Sequence, residues 1–209
     1  MKKVHNLIIL DESGSMESIR EQALTGLNET LQSIVTAQGK YPDMEQRTTV
    51  LLFDSTNTRY VFRNDTTDIL TVLSRDDYRP NACTPLFDAI GKGISTVKSV
   101  FNDGDAAIVT IITDGYENAS REYSLKQITH LIDKMKENGW TFAFIGTDNL
   151  DVESMAKNFH IDNHLAFAQD EKGTRDMFQK EMRARSACYD YLAEGEILPS
   201  GGYFKDEDE

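Results

Sequence analysis

The stretch VHNLIIL at Val4–Leu10, followed at once by DESGS at Asp11–Ser15, decides the fold. A short, mostly apolar run is typical of a strand that is buried on both faces of a sheet. The next segment, Glu17–Ala37, repeats apolar residues every four positions, which predicts a helix packed along one stripe. A buried strand that leads through a polar loop into a helix is the first unit of an alternating α/β chain.

Strand and helix patterns alternate along the rest of the chain. Further strands are predicted at 49–54, 58–63, 106–113, 140–146 and 164–168, and further helices near 69–73 and at 84–101, 124–138, 152–159 and 174–193. Only three residues separate the second and third strands, so these form an antiparallel hairpin, because a parallel return needs a dozen or more residues. Right-handed crossovers then give the strand order 3-2-1-4-5-6. The predicted fold class is α/β, a doubly wound, mostly parallel six-stranded sheet with one antiparallel edge strand and helices on both faces.

Local signals mark several helix ends. Thr84 before Pro85 is expected to cap the helix at 84–101, since threonine is a good N-cap and proline at the first helical position loses no useful donor. Ser124 and Gln127 have the spacing of a capping box, and Gly139 stands where a left-handed C-cap is expected.

Chain length limits the number of domains, and net charge limits the class of partner. The 209 residues suffice for one full α/β domain, which we place at 1–193, followed by a flexible acidic tail over 194–209. Lys and Arg number 22 against 35 Asp and Glu, a net charge of −13, and no basic cluster is present. This balance argues against a nucleic-acid partner.

Compartment signals are few. The two cysteines, Cys83 and Cys188, exclude a disulfide framework and favour a reducing environment. The apolar run Leu7–Leu10 is too short for a signal segment or a membrane span. We therefore expect a cytoplasmic protein without a membrane partner.

Oxygen-bearing side chains collect where strands one and four end. The carboxyl ends of these strands meet at the switch point of the predicted sheet, where ligands bind. The candidate ligands there are two carboxylates and three hydroxyls, contributed by Asp11, Ser13, Ser15, Thr84 and Asp114. Such hard donors suit Mg²⁺, Mn²⁺ or Ca²⁺. Two carboxylates neutralise a divalent ion, and five side chains leave at least one octahedral position open, so we expect a metal site that accepts one more anionic oxygen from water or from an Asp or Glu of another protein.

This pattern resembles the von Willebrand factor A-type (VWA) domain family with its metal-ion-dependent adhesion site (MIDAS). Asp11-x-Ser13-x-Ser15 is similar to the MIDAS signature, Thr84 to its threonine and Asp114 to its distal aspartate, and the resemblance extends from Val4 to Ala168. It implies the doubly wound fold, direct ligation by the serines, frequent water-mediated contacts from the threonine and aspartates, and Mg²⁺-dependent protein–protein binding without catalysis.

Two further features qualify the resemblance. The tract Thr113–Tyr123, with Gly139-Trp140, is similar to a bacterial intracellular branch of the family. Cys83 stands where a glycine is common before the threonine, which affects the loop but removes no ligand.

Other interpretations remain open. Asp11 and Ser13 are also good helix caps. A Mg²⁺-dependent phosphohydrolase-like enzyme also places an aspartate after strand one, although its second aspartate is replaced here by Ser13, no P-loop is present and no histidine base is assigned. An inert scaffold with a relic site is the third possibility. Glu12 and Glu117 are interpreted as solvated loop carboxylates and Asp148 as an ordinary loop residue, although each could face the site.

Overall fold

A six-stranded sheet forms the centre of the molecule, in a computed structural model that describes residues 1–205. Its strands are β1 (Lys2–Asp11), β2 (Met44–Phe53), β3 (Thr58–Thr66), β4 (Ala106–Thr113), β5 (Trp140–Thr147) and β6 (Asn163–Phe167). Their spatial order is β3-β2-β1-β4-β5-β6, with β3 antiparallel to β2 and every other neighbouring pair parallel. The predicted strand order and the antiparallel edge strand are confirmed.

Helices cover both faces of this sheet, as predicted. They are α1 (Arg20–Lys40), α2 (Leu86–Lys98), α3 (Leu125–Lys136), α4 (Val152–Asn158) and α5 (Glu171–Ala193), with short 3₁₀ segments at Gly14–Ile19 and Arg75–Asp77. Side chains alternate along β1, so Leu7 and Ile9 pack with α2, α3 and α4, while Ile8 and Leu10 pack with α1 and α5. Over residues 1–205, none of the helices combines the length and apolarity that a membrane crossing requires.

Two helix ends differ from the sequence expectations, and two agree. The first helix begins as the 3₁₀ segment, so regular α-helix starts only at Arg20. Thr84 does not cap α2, because Pro85 occupies the N-cap position with φ −82° and ψ 65°. The N–H groups of Phe87 and Asp88 in the first turn instead donate to the side chains of Glu117 and Ser120, at 2.9 and 3.0 Å. The capping box of Ser124 and Gln127 is present, and Gly139 has the expected positive φ of 79°.

The short helix expected near 69–73 is absent from the described structure. Asn28 of α1 binds the backbone of Leu73 on both sides, accepting from its N–H at 2.8 Å and donating to its carbonyl at 2.9 Å. This tertiary contact holds residue 73 in a non-helical conformation and overrides the local preference for a helix. The helical turn that does form in this connection is the 3₁₀ segment Arg75–Asp77.

A buried polar network joins α5 to the middle of the sheet. The guanidinium of Arg185, with 0% exposure, donates to Glu181 Oε1 at 2.7 and 2.9 Å and to Asn6 Oδ1 of β1 at 2.8 Å. It also donates to Thr110 Oγ1 of β4 at 2.7 Å, and that hydroxyl donates in turn to Glu181 Oε1 at 2.9 Å. The ion pair therefore binds both central strands to α5.

The segment after α5 closes over this network. Tyr203 is 2% exposed, its N–H donates to Asn163 Oδ1 at 3.0 Å, and its hydroxyl donates to Glu181 Oε1 at 3.2 Å. This burial differs from the flexible tail expected over 194–209, because a tyrosine ring finds an apolar site beside a carboxylate that can accept from its hydroxyl. The last four residues, 206–209, lie outside the described part, and the division at 193 into domain and tail stays a prediction.

Candidate metal site

The site begins at the last residue of β1. The side chain of Asp11 has 0% exposure, and its Oδ1 accepts from the backbone N–H of Ser13 at 2.7 Å. Its Oδ2 accepts from the hydroxyl of Thr113, the last residue of β4, at 2.5 Å. One carboxylate therefore links the loop after β1 to the end of β4, at the switch point that the topology predicts.

Hydroxyl groups connect this loop to a second carboxylate. Ser13 Oγ lies 3.3 Å from Ser15 Oγ, and the Ser15 hydroxyl donates to Asp114 Oδ1 at 2.7 Å. Asp114 directly follows β4, so its position is set by that strand. The structure thus brings together four of the five predicted site residues, Asp11, Ser13, Ser15 and Asp114.

Thr84, the fifth predicted residue, lies beside this cluster. Its N–H donates to Asn118 Oδ1 at 2.9 Å, and its carbonyl accepts from the Asn118 N–H at 3.1 Å. A Cβ built on Gly115 would lie 3.0 Å from Thr84 Oγ1, so the absence of a side chain at Gly115 allows the hydroxyl to approach the residue next to Asp114. Thr84 Oγ1 forms no hydrogen bond to the other four predicted residues, all of which lie within the described residues 1–205.

The two carboxylates are poorly solvated and lack a counter-charge. Burial raises the pKa of Asp11 to about 7, against hydrogen bonds from Thr113 and Ser13 that lower it. Burial also raises the pKa of Asp114, against hydrogen bonds from Ser15 and Gln169. Within residues 1–205, no Lys, Arg or His forms an ion pair with either group. Since buried charges are normally paired or coordinate a metal, this end of the sheet has a deficit of positive charge.

The donor set fits a hard divalent cation. Two carboxylates match a charge of +2, and the serine and threonine hydroxyls add neutral oxygens. In the part of the chain that the structure describes, no three His, Cys, Asp or Glu side chains are grouped to hold a metal. The arrangement therefore suits Mg²⁺, Mn²⁺ or Ca²⁺ and lacks the nitrogen and sulfur ligands typical of zinc.

The interpretation of Glu12 as a solvated carboxylate is wrong. Glu12 is 2% exposed, and its Oε1 accepts from the Arg59 guanidinium at 2.8 Å and from the Arg79 N–H. The hydroxyl of buried Tyr78 donates to the Asp11 carbonyl at 2.7 Å, which adds a second attachment. These bonds hold the connection before α2 against the end of β1. Nothing in the sequence pairs Glu12 with Arg59, which lies 47 residues away.

Glu117 and Asp148 have structural or peripheral positions. Glu117 accepts from the N–H groups of Phe87, Ala119 and Ser120 at 2.6–2.9 Å, so it organises the loop after β4 against α2. Asp148 is exposed, and its N–H donates to the Phe167 carbonyl at 2.7 Å.

One residue at the site, Gln169, lies outside the sequence motif. Gln169, between β6 and α5, donates from Nε2 to Asp114 Oδ2 at 2.6 Å. A single glutamine in a loop carries no sequence signal for such a contact, because its partner lies 55 residues earlier in the chain.

Fold and site together define a doubly wound α/β domain with an oxygen-lined site at the carboxyl ends of its central strands. A family model for the von Willebrand factor type A domain matches residues 7–180. The chain belongs to the von Willebrand factor type A family. A search of curated proteins gave no match.

Solved structures with this fold include several pilus proteins. The PilB minor pilin from Streptococcus sanguinis aligns with TM-score 0.63 and 12% identity over 88% of this chain and 61% of its own. The pilus adhesin SpaC from Lactobacillus rhamnosus GG, in an open conformation, aligns with TM-score 0.63 and 13% identity over 88% of this chain and 30% of its own. The vWF domain of the type V pili tip protein Mfa5 from Porphyromonas gingivalis aligns with TM-score 0.61 and 10% identity over 85% of this chain and 94% of its own. This chain thus spans about three fifths of the PilB structure, and identities this low show a shared fold alone.

Proposed function

We propose that this chain is a protein-binding module whose binding depends on a divalent metal ion, with Mg²⁺ as the first candidate and Mn²⁺ and Ca²⁺ as the alternatives. Asp11, Ser13, Ser15, Thr84 and Asp114 would hold the ion in a site of the MIDAS type. When bound, the ion supplies a Lewis-acidic position for one carboxylate oxygen from an Asp or Glu of the partner protein.

One observation carries this proposal. Asp11 and Asp114 are two buried carboxylates at the ends of different strands. Ser13 and Ser15, in the loop after β1, connect them through hydrogen bonds, and every donor in this connection is neutral. Neutral hydrogen bonds reduce the cost of burying these acids but bring no positive charge to balance their carboxylates. A divalent cation is the simplest ligand that would balance it.

The family relationship supports an interaction module without catalysis. The chain is a von Willebrand factor type A domain, and the similar solved structures include a minor pilin and a pilus adhesin. The net charge of −13 favours a protein partner over nucleic acid, and we assign no membrane partner. A cytoplasmic location, in a bacterial intracellular branch of the family, completes the proposal, and the two free cysteines, Cys83 and Cys188, are consistent with it.

Calorimetric titration with Mn²⁺ and with Mg²⁺ tests the site. We expect binding to the unaltered chain and a loss of at least roughly tenfold in affinity for Asp114→Ala, because a charged ligand is removed. The matched control is Asp148→Ala, which removes an exposed carboxylate at the same end of the sheet. Equal metal affinities for all three proteins, or no binding to the unaltered chain, would contradict the proposal.

Two further measurements separate binding from catalysis. A partner captured from a cell extract in Mg²⁺ should be released by EDTA and should not be captured by Asp114→Ala. A complex that survives chelation would exclude a metal-bridged interface. Conversely, Mg²⁺-dependent turnover of a phosphate ester that Asp11→Ala abolishes would favour the phosphohydrolase alternative.

A further inference from the structure

A fourth chain segment reaches the candidate metal site through Gln169. This residue lies in the turn between β6 and α5, outside the Asp-Ser-Ser, Thr and Asp positions of the motif. Its Nε2 lies 2.6 Å from Asp114 Oδ2, and 3.4 Å from both the Ser15 carbonyl and Ser18 Oγ. The half-buried amide therefore spans from the loop after β4 to the start of the first helical segment.

The turn that carries Gln169 is itself fixed at both sides. Asp170 caps α5 by accepting from the Gly173 N–H at 2.7 Å, and its own N–H donates to the Ala168 carbonyl at 2.8 Å. A Cβ built on Gly173 would lie 2.2 Å from the Ala168 carbonyl oxygen, so the turn closes this tightly only because residue 173 is glycine. The glutamine amide is thus presented to Asp114 from a well-defined backbone.

Gln169 and Ser15 divide the two oxygens of Asp114 between them. The Ser15 hydroxyl donates to Oδ1 at 2.7 Å, and the Gln169 amide donates to Oδ2. Two donors on opposite oxygens prevent the carboxylate from rotating. Each oxygen still has a free lone pair, because a carboxylate can accept about four hydrogen bonds or ligands in all.

The neutrality of Gln169 is as important as its position. A lysine or arginine at this point would orient Asp114 equally well but would cancel its charge and compete with a cation. An amide orients the acid and leaves its charge available.

We propose that Gln169 is a positioning residue of the metal site, which holds the Asp114 carboxylate in the orientation that a divalent cation requires while leaving the site with two negative charges. This inference rests on the proposed function. It extends the site to the segment that begins α5, so metal affinity depends on a residue beyond the five-position motif.

Two substitutions of Gln169 should both weaken Mn²⁺ binding, because both remove the amide donor to Asp114. Gln169→Leu removes the orienting donor, and we expect Mn²⁺ to bind roughly tenfold more weakly, as for other residues that orient metal ligands. Gln169→Glu is isosteric, but its carboxylate can only accept and therefore repels Asp114 Oδ2 where the amide donated to it, so we expect Mn²⁺ to bind more weakly to this variant as well. The readout is the dissociation constant from calorimetry with Mn²⁺ as the only added ligand.

The controls separate this inference from the proposed function. Gln179→Glu adds the same charge on the exposed side of α5 and should leave Mn²⁺ affinity within about twofold, as expected for a screened surface charge. Circular dichroism establishes that each variant is folded, and Gln169→Asn, which shortens the side chain but keeps it neutral, replaces Gln169→Leu if the latter fails to fold.

Each pattern of results has one meaning. Mn²⁺ binding to the unaltered chain that neither Gln169→Leu nor Gln169→Glu changes would overturn the positioning role but leave the proposed function standing. Weakening by Gln169→Leu that the isosteric Gln169→Glu does not reproduce would show that Gln169 only packs the turn, and would also overturn it. Absence of Mn²⁺ binding to the unaltered chain would overturn both proposals.

Discussion

Two buried polar clusters occupy this molecule, and they balance charge in different ways. Beneath α5, the positive charge of Arg185 lies 2.7 Å from the negative charge of Glu181, with neutral groups of the sheet around them. At the carboxyl ends of β1 and β4, Asp11 and Asp114 are surrounded by neutral donors alone. The first cluster pairs a positive with a negative charge, whereas the second has two carboxylates and, within residues 1–205, no cationic side chain paired with either.

Charge balance distinguishes the structural cluster around Arg185 from the proposed binding site at Asp11 and Asp114. A buried ion pair balances its own charge, and its role is to stabilise or specify the fold. Buried carboxylates without a counter-charge cost stability, and that cost is offset when a ligand brings the missing charge. The four predictions that follow are ordered from the largest expected effect to the smallest: the first three alter one cluster at a time, and the last concerns His5, outside both.

Breaking the Arg185–Glu181 cluster should have the largest effect. Arg185→Met leaves Glu181 buried without its partner, so we expect the free energy of unfolding to fall by about 3–5 kcal/mol. Urea denaturation in EDTA measures it. The double variant Glu181→Leu with Arg185→Met should recover most of the loss, because the uncompensated charge is gone. A single variant that loses less than about 1 kcal/mol would mean that the network is not the stabilising contact described here.

Binding a cation at Asp11 and Asp114 should have the next largest effect, with the opposite sign. At a metal concentration one hundred times the dissociation constant, binding to the folded state alone raises the free energy of unfolding by about 2.7 kcal/mol. We expect this gain with Mn²⁺ for the unaltered chain, its reversal by EDTA, and no gain for Asp114→Ala. A similar gain in Asp114→Ala would show that the metal binds elsewhere.

Removing one peripheral hydrogen bond from the Arg185–Glu181 cluster should lower the free energy of unfolding by a smaller amount. Tyr203→Phe removes one hydroxyl that donates to Glu181 Oε1 at 3.2 Å but keeps the buried ring. Since Arg185 and Thr110 still donate to the same oxygen, we expect a loss of about 1 kcal/mol by urea denaturation. Mn²⁺ affinity should not change, and a change would show that the two clusters are coupled.

The smallest effect concerns pH and His5, which neighbours Asn6 on β1. Burial lowers the pKa of His5, and the contact of its Nε2 with Asp105, at 3.3 Å, opposes that shift. The unfolded chain therefore binds more protons than the folded chain below about pH 6.5, so this group reduces stability as the pH falls from 7 to 5. His5→Gln should have a flatter profile of unfolding free energy over this range. An unchanged slope would show that His5 does not titrate differently on folding.

Much of the fold could be predicted because its signals are local. Apolar runs such as Val4–Leu10 define strands, and the three-residue link before β3 permits only an antiparallel hairpin. Four of the five predicted site residues lie in contact because they fall at the ends of β1 and β4 or within four residues of them, where the topology brings the two loops together.

The remaining features depend on contacts between distant residues. The bond from Gln169 to Asp114, the pairing of Glu12 with Arg59, and the docking of Tyr203 on Glu181 arise only once the sheet has assembled. Asn28 likewise fixes Leu73 from another element and replaces the helix that local sequence favours. Periodicity and spacing carry no information on such pairs.

Both clusters are anchored on β1, at Asn6 and Asp11, and the strand rises about 3.3 Å per residue, which puts these anchors roughly 17 Å apart. Perturbations at that separation generally add without interaction. We therefore expect that the stability of the ligand-free chain can be changed at Asn6 without changing the affinity of the proposed site at Asp11.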